Sequence, residues 1–148
     1  MSLAKKRRVV ALCYVVAGVV VLYWVLWFTN RSSVAASTGR VYTNFEGAFP
    51  LADALIVVAL LAGARALTRG SSLAVLFLLL GAGAGFYLGA MDVLFDLEHG
   101  IWAKGVNGLV ELVINVATLA LASYFTVWVW TNRRVLDVAD DGAPSRDQ

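Results

Sequence analysis

One cysteine and one histidine are all that this 148-residue chain offers for soft-ligand chemistry. Cys13, alone and inside an apolar run, excludes an internal disulfide, a paired-thiol redox site and a cysteine-based metal centre. His99, with only carboxylates for company, would make an unusual zinc ligand. Charge is scarce as well: 15% of residues are charged and 60% are hydrophobic, too apolar a balance for an ordinary soluble domain. The net charge of +2 comes mostly from basic clusters beside apolar segments, a pattern that argues for membrane orientation rather than nucleic-acid binding. The calcium-loop order of acidic residues is missing. So is a readable serine–histidine–acid arrangement, and so is any cofactor motif. The series Gly81-Ala82-Gly83-Ala84-Gly85 lies inside an uninterrupted apolar segment, so it is no nucleotide-binding loop.

What the chain has instead is length of apolar sequence. Four segments are long enough to cross a bilayer: about Val9–Phe28, Pro50–Leu67, Leu73–Met91 and Gly105 to Trp130 or Thr131. The first follows Lys5-Lys6-Arg7-Arg8 and ends in Tyr23-Trp24 and Trp27-Phe28; its length and aromatic end fit a retained span better than a cleaved signal peptide. Pro50 suits the first turn of a helix, where its missing N–H costs nothing. The fold class expected is all-α, a polytopic four-helix transmembrane bundle over residues 1–131. A short polar tail over residues 132–148 completes the chain.

Basic residues set the direction. Lys5 to Arg8, the Arg65 and Arg69 pair before the third segment, and Arg133 and Arg134 belong on the cytoplasmic side under the positive-inside rule. Both termini are then cytoplasmic, in a multi-pass protein of a plasma or inner membrane, and the first and third loops face outward. Arg31, Arg40 and Lys104 are the exceptions. Within the first loop, Val41–Glu46 is amphipathic and suits either a short interfacial helix or a plain connection.

In this topology Glu46, Asp53, Asp92, Asp96, Glu98 and Glu111 all fall toward the outer side. A carboxylate at hydrocarbon depth must be paired, hydrated or neutralised, so Asp53 and Glu111 demand compensation. Asp92, Asp96 and His99 share one face if the third helix continues past Met91. Asn107, Glu111 and Asn115 form a ladder at i, i+4 and i+8 on the fourth. The candidate ligand-binding set is therefore Glu46, Asp53, Asp92, Asp96, Asn107, Glu111 and Asn115, with Glu111 central and the asparagines expected to orient it. Simpler roles stand beside this: loop hydration for Asp92, Asp96 and Glu98, helix capping for Asp53, and interhelical hydrogen bonding for the asparagines.

Gly81, Gly85 and Gly89 recur every fourth residue and make a smooth strip for close helix approach. Packing within the chain is the ordinary use of such a strip; a homodimer through the third segment is the other. The partners expected are membrane lipids, a larger membrane complex, and no nucleic acid. Ample polarity without a nucleophile, cofactor motif or metal set favours a non-enzymatic binding or accessory protein. Its ligand would be a cationic or polar lipid-like partner, held in an outer acidic pocket. A small transporter or channel component, and a membrane acid–base enzyme acting on a lipid-like substrate, are the alternatives.

Overall fold

The computed structural model describes residues 3–137, and over these the protein is all-helical. Helix α1 spans Leu3–Thr29, α2 Arg40–Glu46, α3 Pro50–Arg69, α4 Leu73–His99 and α5 Gly105–Asp137, with short 3-10 turns at Arg31–Ser33 and Ile101–Ala103. Four of these, all but α2, are long and apolar enough to cross a membrane. At about 1.5 Å per residue, 27-residue α1 and α4 each reach roughly 40 Å, more than the roughly 30 Å of a bilayer's hydrocarbon core. The protein is a small multi-pass membrane bundle.

Local chemistry sets the helix ends. Pro50 opens α3, and Gly70, left-handed at φ 74°, closes it while the Ser71 N–H donates to the Ala66 carbonyl at 2.9 Å. Gly100, at φ 58°, ends α4 by donating its N–H to the Asp96 carbonyl. The third segment therefore remains helical through Asp92, Asp96 and Glu98, so these three are helix residues and not loop residues. The fourth span also runs further than its apolar stretch, to Asp137; the tail residues 138–148 lie outside the described part. The amphipathic stretch of the first loop forms the short helix α2.

Packing follows a chain of neighbours: α1 on α3, α3 on α4, and α4 on α5. Among the described residues α1 and α5 bring few backbone positions close together: they share the buried core at the end where α1 begins, and a cleft separates them further along. The glycine strip holds the middle of this arrangement. A Cβ built at Gly81 would meet Ala59 at 3.4 Å on α3, one at Gly85 would meet Ala122 at 3.5 Å on α5, and one at Gly89 would lie 2.9 Å from Leu119 on α5. Neighbours in the same chain therefore fill the strip on both sides, the use of it as packing within the chain.

Two cores result. Val9, Cys13, Leu60, Leu67, Leu78 and Val129 pack an apolar core toward the end where α1 begins. At the opposite end, capped by α2, Trp24, Trp27, Tyr42, Phe95 and Ile101 form an aromatic core. There Phe45, Phe95 and His99 stack in sequence, with centroids 3.9 and 4.1 Å apart. The outer faces carry exposed Leu22, Val58, Leu76, Val113 and Val127, a surface suited to lipid tails rather than water.

Candidate functional site

Between the two cores lies this cleft of about 380 Å³, to which all five helices contribute. Leu12, Val15, Val16 and Val19 of α1 form one apolar wall, and Ile114, Ala117 and Leu121 of α5 form the other. At the α2 end the lining turns acidic: Glu46 from α2, Asp53 from α3, Asp92 from α4 and Glu111 from α5. Glu111 is six residues into α5, roughly 9 Å below that helix's start. None of the lining residues is a lysine, arginine or histidine.

The reason four separate elements deliver acids to one place is register. Asp53 lies in the first turn of α3, and Asp92 stands two turns before the end of its antiparallel neighbour α4, so both reach similar depth. Glu46 ends α2, immediately before the turn into α3. Its Oε2 accepts from the Tyr23 hydroxyl at 3.3 Å, and Asp53 Oδ2 accepts the Trp24 indole N–H at 2.8 Å. The Tyr42 hydroxyl accepts the Ala36 N–H at 3.3 Å. Asp53 thus bonds across to α1, and Phe49 holds the cap position of α3 in its stead.

Glu111 itself is 4% exposed, and its Oε2 has no hydrogen-bond partner. Buried polar atoms are nearly always paired, because an unmet acceptor keeps its full desolvation cost. Among the described residues Asn115 Oδ1 shares this state, but Asn115 does not line the cleft, so Glu111 Oε2 is the orphan that belongs to it.

The structure divides the residues expected to form one site. Glu46, Asp53, Asp92 and Glu111 share the cleft. Asp96 and Asn115 belong to a sealed neighbour: Asn115 Nδ2 and Trp102 Nε1 both donate to Asp96 Oδ2, at 2.7 and 2.8 Å, with Asp96 2% and Asn115 1% exposed. Asn107 points elsewhere, its Nδ2 donating to the Ala35 carbonyl at 3.2 Å. The asparagines therefore tie α5 to α4 and to the first loop; neither orients Glu111, although both share its helix ladder. Glu98 and His99 are exposed, with His99 Nδ1 2.9 Å from the Phe95 carbonyl. Among the described residues, no three histidine, cysteine or acidic side chains converge as a metal-binding set.

Spacing along the chain misses the aromatic donors. Tyr23 and Trp24 read only as part of the aromatic end of the first segment, because aromatic rings mark membrane boundaries irrespective of what their polar atoms bond, and Trp102 carries no signal of its own. Only the buried indole beside an acid at matching depth distinguishes Trp24, and depth is the one signal the sequence carries for it.

No protein-family model matches the chain, and no curated protein or solved structure is significantly similar to it.

Proposed function

We propose that the protein is a non-enzymatic membrane binding protein that takes a cation-bearing, lipid-like molecule into the α1–α5 cleft, on the outer side of a plasma or inner membrane. One observation carries this reading: the cleft is acidic at one end, apolar along its walls, and lies between α1 and α5 where the two helices stand apart. Such a shape matches an amphiphile, with its head among the carboxyls and its tail between α1 and α5. From Leu12 to Tyr23 the α1 wall runs roughly 16 Å, room for an alkyl chain.

The apolar core beyond the cleft, with Leu60, Leu67, Leu78 and Val129 fully buried, supports binding over conduction, since a polar path would have to cross it. Among the described lining residues no carboxyl or hydroxyl stands beside a histidine, lysine or cysteine that would activate it, which supports holding a ligand over attacking one.

The test compares dodecylamine with dodecyl sulfate on the full chain in nonionic detergent, by native mass spectrometry. Retention of the ammonium amphiphile at one per chain, with the sulfate not retained, is the expected result. Equal retention of both, or of neither, overturns the reading.

A further inference from the structure

The cleft's acids do more than supply negative charge: they differ in what they still lack. Glu46 and Asp53 each accept a hydrogen bond from an α1 ring, from Tyr23 and Trp24. Glu111, on the facing wall, is almost wholly buried and keeps Oε2 without a donor. An acceptor left in that state requires an N–H or O–H, and a cation that brings only methyl groups leaves it unmet.

Resting on the amphiphile reading above, we infer that the cleft selects an ammonium head carrying at least one N–H, and that Glu111 Oε2 is the atom receiving it. Quaternary ammonium recognition relies on an aromatic cage around the cation. Among the described lining residues only Tyr23 and Phe49 bring rings, too few to enclose a cation. The acids instead come from four elements, α2, α3, α4 and α5, an arrangement suited to a compact point charge with rotatable donors. The Asp96–Trp102–Asn115 cluster takes no part: Asp96 Oδ2 already accepts two donors there.

Two amphiphiles of nearly equal size decide it. Dodecyldimethylamine, protonated at neutral pH, carries one N–H; dodecyltrimethylammonium carries none. With the full chain in nonionic detergent and native mass spectrometry as readout, the first is expected to bind about tenfold more tightly, the scale of one charge-assisted hydrogen bond to a buried acceptor. Glu111→Gln should reduce that ratio to about threefold or less, and the exposed Glu98→Gln should leave it intact. Binding of both amphiphiles within about threefold of each other by the unaltered protein overturns the N–H inference while the amphiphile reading stands. Binding of neither overturns both. Because the decisive ratio is measured on the unaltered chain, it holds even where Glu111→Gln fails to fold.

Discussion

The indole N–H of Trp24 on α1 donates to Oδ2 of Asp53 on α3 across 2.8 Å, so an acid near the start of one membrane helix is answered by a ring near the end of another. Bonds to charged or chargeable groups of this kind contribute about 1.5–3 kcal/mol. Trp24→Phe keeps most of the ring and removes the donor. It should destabilise the protein by about 1.5–3 kcal/mol, read from denaturant or thermal unfolding in detergent. A double-mutant cycle with Asp53→Asn should return a coupling of at least about 0.5 kcal/mol. Zero coupling would mean that the ring matters only through packing.

The Asp96 cluster is a structural clamp between α4, the Ile101–Ala103 turn and α5. Trp102→Phe removes one of two donors from a buried carboxyl and should lower stability by about 1–3 kcal/mol. The tertiary-over-quaternary amphiphile ratio should not move, since Trp102 and Asp96 do not line the cleft. A changed ratio, measured by native mass spectrometry, would join the two clusters into one site.

Close backbone approach makes Gly108 the least replaceable glycine among the described residues. A Cβ there would run into the Ile101 carbonyl and the Trp102 backbone, which cannot swing aside as a side chain can. Gly108→Ala should therefore cost about 1–3 kcal/mol, as overpacking does elsewhere. Gly83→Ala opens onto free space and should be neutral or slightly stabilising. Comparable unfolding midpoints for the two variants would contradict this packing.

Sidedness follows from charge, and single cysteines read it directly. With Cys13 buried and so shielded from aqueous reagent, cysteines at the exposed Thr38 and Glu98 should react with an impermeant maleimide from outside intact cells, and one at Thr68 only after permeabilisation. The reverse pattern would place the acidic cleft on the cytoplasmic side.

Much of the architecture is legible in particular residues. Pro50 marks a helix start where it stands in the sequence, and the uncharged run from Leu73 to Met91 announces a span. The continuation of α4 to His99 is harder to read, because Asp92, Asp96 and Glu98 break the apolar run that signals a crossing. What carries the helix on is burial on one side: Phe95 and Asp96 face inward while Leu94 and Leu97 face out.

By itself the sequence determined the four spans, the shared depth of the acids and the ladder of Asn107, Glu111 and Asn115, because length, charge position and helical period are all local properties. Only the tertiary structure decided what each polar group meets. Rotation of a helix about its axis and the order of its neighbours sent Asn115 to Asp96, Asn107 to the Ala35 carbonyl, and the Tyr23 and Trp24 donors to Glu46 and Asp53. The same packing order, α1 on α3, α3 on α4 and α4 on α5, left a cleft between α1 and α5 beyond the core they share, and Glu111 lines that cleft with an acceptor that spacing along one helix could not show to be unmet.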